Sequence, residues 1–177
     1  AAAIIEQARA LADEGVCLAA FPELCLTGYA IDDLLLSDVL LRGALAAIET
    51  VRAASAGFLP AIVVGAPLRV GGRLFNCAVV IAGGAVRGVV PKSYPPAYRE
   101  FYEKRQFASG EGSPGDSVLI PEWSDEPIPF GGELLFSATD LPDLKIHFEI
   151  CEDLWVPIPP SHEAALGGAT VLMNLSA

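Results

Sequence analysis

The sequence is short of histidines and of basic residues, and it lacks any hydrophobic run long enough to cross a membrane. Its 177 residues include 11 Lys or Arg, 22 Asp or Glu and 2 His, which gives a formal net charge of -11. Nucleic-acid binding needs clustered basic side chains, so this composition excludes nucleic acid as an expected partner. The apolar runs span roughly four to eight residues, against the ~20 of a transmembrane helix. With no basic segment leading a long apolar stretch at the start, we expect a cytoplasmic protein without a membrane partner.

The four cysteines do not form a recognisable framework. Cys17, Cys25, Cys77 and Cys151 are far apart and show no CxxC spacing. A disulfide network and a metal site are therefore both poorly supported, and no metal ligand is predicted. Hydrophobic residues make up 53% of the chain and charged residues 19%. This balance indicates a folded domain with a large core.

Apolar periodicity predicts an α/β layered domain. Helices are expected over 4–12 and over 37–56, the second capped by Ser37. Apolar runs predict strands over 16–21, 61–66, 75–82, 85–90, 144–150 and 170–175. Gly71-Gly72 and Gly83-Gly84 are expected to form turns between strands. A short helix over 161–166 joins the last two strands in a βαβ unit, and residues 92–133 are expected to form a long irregular segment.

Three reactive side chains stand directly after apolar strands, where α/β domains usually place their sites. They are Glu23, Lys92 and Cys151. A free thiol has a pKa of roughly 8.5, so it needs a base or a positive neighbour before it can attack at neutral pH. A buried carboxylate can take the thiol proton, and a lysine can stabilise the oxyanion that forms. The set therefore predicts acyl transfer if the three side chains meet.

Taken singly, each of these residues also fits a structural role. Cys151 could be a small buried hydrophobe, Glu23 a solvated strand terminus and Lys92 an edge-strand charge. His147 is expected to lie within the sheet with a satisfied hydrogen bond, on the same face as Cys151. Glu152-Asp153 could form a solvated turn.

The motifs that contain the three residues are more specific in combination. Phe-Pro-Glu-Leu at 21–24 precedes Thr-Gly-Tyr at 27–29, Pro-Lys at 91–92 and Ile-Cys-Glu-Asp at 150–153. In this order they resemble the Glu-Lys-Cys signature of the nitrilase superfamily. Asp-Asp-Leu-Leu at 32–35, the segment from Lys92 to Arg105 and Asn-Leu-Ser at 174–176 are similar to the glutaminase domain of glutamine-dependent NAD+ synthetases. The resemblance extends over essentially the whole chain.

This resemblance implies a role for each matching position. Glu23 would be the general base, Lys92 the oxyanion-stabilising lysine and Cys151 the nucleophile. Glu103 would be the second glutamate, which orients the lysine and the substrate, and Glu100 is its rival for that role.

The resemblance also implies the substrate, the fold and the assembly. Tyr98 and Glu152 fall where the family contacts bound glutamine. The implied substrate is L-glutamine, hydrolysed through a cysteine thioester without a cofactor. The implied fold is a nitrilase-like four-layer αββα sandwich, in subunits that commonly associate as homo-oligomers.

The match to the family pattern is expected to be truncated at both ends. We expect a single, incomplete glutaminase domain over 1–177, without the family's first strand and without the later serine and arginine that grip the glutamine α-groups. The ATP-dependent synthetase domain, which uses ATP and Mg to amidate deamido-NAD+ with the released ammonia, is also expected to be absent. The chain alone is therefore expected to be inactive. The glycine-rich segment 109–117, including Gly112, follows a charged loop rather than a strand, so it predicts a surface loop and not a phosphate cradle.

Two other functions remain open from the sequence. One is a free-standing amidase or carbamoylase of another specificity. The other is a non-catalytic module that has kept the fold, although such a module would need none of Glu23, Lys92 and Cys151.

Overall fold

The computed structural model describes residues 1–111 and 115–177. Its helices are α1 (Ala2–Asp13), α2 (Asp38–Ser55) and α3 (Pro160–Leu166). Its strands are β1 (Leu18–Ala20), β2 (Ala61–Val70), β3 (Arg73–Ala82), β4 (Ala85–Pro91), β5 (Ser117–Val118), β6 (Ile128–Pro129), β7 (Phe136–Ser137), β8 (Lys145–Ile150) and β9 (Val171–Leu175). Short 3-10 helices cover Asp32–Leu36, Glu103–Arg105 and Cys151–Trp155.

The first sheet has the strand order β1-β2-β3-β4. β1 runs parallel to β2, and the pairs β2–β3 and β3–β4 are antiparallel. The two glycine pairs form the predicted two-residue turns, with φ of +56° and +77° at Gly71-Gly72 and of +57° and +76° at Gly83-Gly84. Positive φ at both central residues matches the twist of adjacent strands, which confirms both hairpins.

The second sheet has the order β7-β8-β9 and contains the predicted βαβ unit. β8 and β9 pair in parallel, from Ile146 opposite Val171 to Ile150 opposite Leu175. The helix between them, α3, packs on β8. The βαβ unit predicted over residues 144–175 is therefore confirmed. Each of its three elements begins one residue away from its predicted start.

Stacked together, the elements form four layers. α1 and α2 cover one face of the first sheet, in a core that includes Ile4, Ala8, Ile48, Val51 and Val64. The opposite face of that sheet packs on the second sheet through an apolar interlayer core of Val63, Ala78, Val80, Val90, Ile146, Phe148, Ile150 and Leu175. Because α3 covers the outer face of the second sheet, the order of layers is αββα. The predicted fold is confirmed.

Some details differ from the expectations. β1 occupies Leu18–Ala20 rather than 16–21, and Ser37 precedes α2 without making a side-chain capping bond. His147 is fully buried; its Nδ1 lies 3.2 Å from the Leu134 carbonyl oxygen, but its Nε2 has no hydrogen-bond partner among the described residues. The position in the sheet and the hydrogen bond expected for this histidine are therefore confirmed.

The expected surface loop over 109–117 is partly wrong. Residues 115–117 are exposed, but Gly110 is buried. The Gly110 N–H donates to the Lys92 carbonyl oxygen at 2.8 Å, and a Cβ at this position would lie 2.8 Å from the Pro91 oxygen. Gly110 is therefore part of the packing at the end of β4. Gly112 lies outside the described residues.

The segment that carries Glu23 crosses β2 at Gly65. A Cβ on Gly65 would collide with the backbone nitrogen of Leu24 and lie 2.6 Å from the Pro22 carbonyl oxygen. The Gly65 carbonyl oxygen accepts the N–H of Leu26 at 3.2 Å. Because only glycine permits this approach of two backbones, Gly65 determines where the 22–24 segment lies.

We predict that Gly65→Ala lowers the free energy of unfolding by about 1–3 kcal/mol or more, since rigid backbone must move to admit the methyl group. Gly43→Ala is the control, because Gly43 is exposed in the middle of α2 with no atom within 4 Å of a built Cβ. It should gain about 0.5–1 kcal/mol. Urea unfolding measures both changes, and equal stability of the two variants would contradict this account of the crossing.

Candidate active site

The ends of three strands bring the predicted reactive residues to one region. Glu23 lies just beyond β1, next to Leu24, whose backbone has a φ of +50°. Lys92 directly follows β4, and its N–H donates to the Asn76 carbonyl oxygen on β3 at 2.8 Å. Cys151 directly follows β8, with a φ of +46°. A non-glycine residue in the left-handed region is uncommon and typical of functional turns.

Lys92 is buried between two carboxyl groups. Its Nζ lies 2.7 Å from Oε1 of Glu23 and 2.8 Å from Oε1 of Glu103. Lys92 is 1% exposed, Glu23 2% and Glu103 6%. Burial lowers the pKa of Lys92, but the two carboxylates outweigh that effect and raise it above its usual value. The side chain is therefore an ammonium group at neutral pH.

Two polar side chains hold the carboxyl groups in place. Asn76 Nδ2 donates to Oε1 of Glu23 at 2.7 Å, and the Tyr29 hydroxyl donates to Oε1 of Glu103 at 2.6 Å. The Oε2 atoms of Glu23 and Glu103 are buried and have no hydrogen-bond partner among the described residues. Buried unpaired acceptors are rare in folded proteins and are typical of reactive sites. Each carboxyl group therefore keeps one oxygen able to accept a proton or a hydrogen bond.

Cys151 is fixed through its backbone. Its N–H donates to Oδ1 of Asn174 at 3.1 Å, and its carbonyl oxygen accepts Nδ2 of Asn174 at 3.2 Å. Burial raises the pKa of the thiol and so does Glu23, whereas Lys92 and a hydrogen bond with Ser176 lower it. Since the net pKa shift is upward, the thiol is protonated at neutral pH and needs a base to become a nucleophile.

Of the other predicted residues, Glu103 joins the Lys92 cluster, whereas Tyr98 and Glu152 contact each other. Glu103, not Glu100, contacts the Lys92 amine; Glu100 is exposed. The Tyr98 hydroxyl lies 2.9 and 2.8 Å from the two carboxylate oxygens of Glu152; Tyr98 is exposed and Glu152 is half-buried. The hydrogen bond with Glu152 is the main cause of a raised Tyr98 pKa, and Glu152 directly follows Cys151 in the chain.

Similarity to known proteins agrees with this arrangement. The family model for carbon-nitrogen hydrolases matches residues 1–177. The chain belongs to the carbon-nitrogen hydrolase family. It is 55% identical to a glutamine-dependent NAD(+) synthetase of Mycobacterium tuberculosis over 176 residues, which are 99% of this chain and 25% of that protein. The chain therefore spans about a quarter of the length of the curated synthetases it matches.

Solved structures show the same fold. A glutamine-dependent NAD(+) synthetase from Cytophaga hutchinsonii superposes with a TM-score of 0.80 at 27% identity, over 98% of this chain and 27% of that one. A mutant of the Nesterenkonia AN1 amidase, from the nitrilase superfamily, superposes with a TM-score of 0.72 at 18% identity, over 98% of this chain and 56% of that one. At that identity the amidase supports the fold alone.

Neither a cluster of metal-binding side chains nor a membrane-spanning helix occurs in residues 1–111 and 115–177. No group of three or more His, Cys, Asp or Glu side chains within these ranges could hold a metal ion. No helix there is long and apolar enough to cross a bilayer.

Sequence reasoning missed the residues that position this carbon-nitrogen hydrolase site. The sequence patterns assign no role to Asn76, Asn174 or Tyr29, and for Asp153 they leave a solvated turn open as one interpretation. That interpretation is wrong, because Asp153 is 1% exposed and accepts three backbone N–H bonds. The one available signal was Asn76, a polar residue near the beginning of the apolar strand β3, where burial requires a hydrogen-bond partner.

We predict that Tyr29→Phe lowers the free energy of unfolding by about 1.5–3 kcal/mol, because Glu103 is buried and loses a hydrogen bond to a charged group. Tyr94→Phe is a matched control, since the Tyr94 hydroxyl makes a bond of the same 2.6 Å length to the exposed Glu111. Its loss should be below about 0.5 kcal/mol. Thermal unfolding of both variants gives the comparison, and a larger loss for Tyr94→Phe would contradict it.

Proposed function

We propose that this domain hydrolyses the side-chain amide of L-glutamine through a thioester on Cys151. The observation that carries the proposal is the buried Lys92 ammonium between Glu23 and Glu103, in the electrostatic neighbourhood of the Cys151 thiol. The high identity to glutamine-dependent NAD(+) synthetases supports glutamine as the amide donor. A base, a cation and a thiol are sufficient for this reaction.

In the first half of the reaction, Glu23 Oε2 accepts the thiol proton. The Cys151 sulfur then attacks the amide carbon, a C–S bond forms, and the carbonyl electron pair moves to oxygen. Lys92 and the backbone N–H of Glu152 stabilise this oxyanion. Glu23 returns the proton to the amide nitrogen, the C–N bond breaks, and ammonia leaves while the thioester carbonyl re-forms.

In the second half, Glu23 removes a proton from water, which attacks the thioester carbon. The same donors stabilise the second oxyanion. The C–S bond then breaks, the sulfur recovers the proton held by Glu23, and glutamate is released. Glu103 keeps Lys92 charged and oriented throughout, and Tyr98 and Glu152 contact the bound glutamine.

The released ammonia would serve a second domain of a longer protein. The relatives are named as glutamine-dependent NAD(+) synthetases and are about four times as long as the matching region. We therefore propose that this single glutaminase domain, in the cytoplasm, supplies an ATP- and Mg-dependent synthetase domain that amidates deamido-NAD+. Subunits are proposed to associate as homo-oligomers, and the glutaminase step itself requires no cofactor.

We predict that Cys151→Ala in the full-length gene product lowers glutamate release from L-glutamine by at least about 10³-fold, because no nucleophile remains to form the thioester. Cys17→Ala is the control; Cys17 is exposed and precedes β1, whereas Glu23 follows it. That variant should keep the wild-type rate. Mass spectrometry of quenched wild-type enzyme should detect a glutamyl group on Cys151.

Three results would count against this proposal. One is glutamate release by Cys151→Ala at the wild-type rate. The second is a preference for an amide other than glutamine, which would indicate a free-standing amidase or carbamoylase. The third is a wild-type protein that turns over no amide at all, which would indicate a non-catalytic module.

A further inference from the structure

Asp153 is a buried carboxylate that the proposed reaction does not use. Its Oδ1 accepts the Tyr94 N–H at 2.8 Å. Its Oδ2 accepts the Ile150 N–H at 3.0 Å and the Ser93 N–H at 3.3 Å. All three partners are backbone N–H groups, so these bonds do not depend on which side chains stand at positions 93, 94 and 150.

These three N–H groups lie at the ends of strands from two different sheets. Ser93 and Tyr94 follow Lys92 at the end of β4, in the first sheet. Ile150 ends β8, in the second sheet, and Cys151 comes next. One carboxylate therefore joins the backbone beside the lysine to the backbone beside the thiol.

Two other contacts join these segments, and neither fixes their relation as closely. The Tyr98–Glu152 hydrogen bond is made by an exposed tyrosine, and a surface interaction of this kind is screened by water. The interlayer core is apolar and includes Val63, Val90 and Phe148. Apolar packing is non-directional, so it determines how far apart the sheets lie better than how they are aligned in their own plane. Hydrogen bonds are directional and lose strength steeply with angle.

We propose that Asp153 is a positioning residue that holds the Cys151 thiol and the Lys92 amine at their working separation. The inference that this separation serves catalysis rests on the function proposed above.

The chemistry of the side chain fits this role better than its amide analogue would. Burial raises the pKa of Asp153 to about 6. The three N–H bonds and the charge of Lys92 lower this pKa, but burial outweighs them. At neutral pH the group is therefore a carboxylate with two oxygens that can only accept. Asparagine offers one acceptor oxygen, and its NH2 group would face a backbone N–H.

The test compares Asp153→Asn with wild type in the full-length protein. We expect kcat for glutamine hydrolysis to fall by about 10- to 100-fold, with KM changed by less than about threefold, because misplacement affects the transition state more than substrate binding. Ser55→Ala is the control for stability alone. Ser55 is buried at the end of α2 and accepts the Gly84 N–H at 3.0 Å, away from the site. It should lower the melting temperature and leave kcat unchanged.

A second readout does not depend on turnover. Iodoacetamide alkylation of Cys151, followed on its peptide by mass spectrometry, gives the pH midpoint of thiol ionisation. The charged groups that act on this thiol are Glu23, Lys92 and Glu103, with the Ser176 hydroxyl as hydrogen-bond partner. Since burial and Glu23 together raise the thiol pKa, a thiol released from this cluster should ionise at lower pH. The midpoint should therefore fall in Asp153→Asn and stay unchanged in Ser55→Ala.

The outcomes separate this inference from the proposed function. An unchanged kcat together with an unchanged alkylation midpoint in Asp153→Asn would overturn the positioning role. A lowered midpoint in a protein that does not hydrolyse glutamine would support positioning and reject the glutaminase assignment. If Asp153→Asn does not fold, Asp153→Glu keeps both acceptor oxygens on a longer side chain. It should lose kcat, and full kcat in that variant would also overturn the inference.

Discussion

The structure depends on an ammonium group held in the interior by two carboxyl groups. Moving a charged group out of water costs roughly several kcal/mol for each ion, so Lys92 is tolerated only because Glu23 and Glu103 are at hydrogen-bond distance. These partners are 69 and 11 residues away from Lys92 in the chain. The first sheet must therefore bring three distant segments together within one small volume.

The topology of that sheet explains how they meet. β1 is parallel to β2, and two successive antiparallel pairings make β4 parallel to both. The carboxyl ends of β1 and β4 consequently lie at the same edge, and each is followed by one charged residue of the cluster. Asn76 reaches that edge as well, because it lies near the beginning of the antiparallel strand β3. Gly65 then lets the backbone that carries Glu23 lie directly against β2.

Local sequence was sufficient to predict β1 to β4, β8 and β9 and the residues that follow them, but not the two-residue strands β5, β6 and β7. Glu23, Lys92 and Cys151 each come after an apolar run, and this pattern depends only on neighbours in the chain. The choice between Glu103 and Glu100 could not be made in this way, because the irregular segment between β4 and β5 has no period that would assign a direction to either side chain. The resemblance to a family favoured Glu103, and the distance to Lys92 agrees with that choice.

Asp153 and His147 show a different limit of sequence reasoning. Both are polar residues in or beside β8, and both would be solvated if their surroundings were open. α3 covers the outer face of β8, and the segment after Lys92 covers Asp153. Burial at both positions therefore follows from how the layers pack. The apolar and polar pattern around each residue does not predict it.

The site is divided between two sheets, and different interactions hold its residues in place on each sheet. Glu23 and Lys92 lie at the edge of the first sheet, where an ion cluster and strand pairing hold them. The thiol belongs to the second sheet, where Asn174 on β9 fixes its backbone from one side. Apolar packing brings the two sheets together but constrains their alignment less closely than directional bonds do. Close alignment of the two layers therefore depends on directional bonds between them, and the carboxylate of Asp153 accepts two bonds of that kind, from Ser93 and Tyr94, in addition to the local bond from Ile150 beside Cys151.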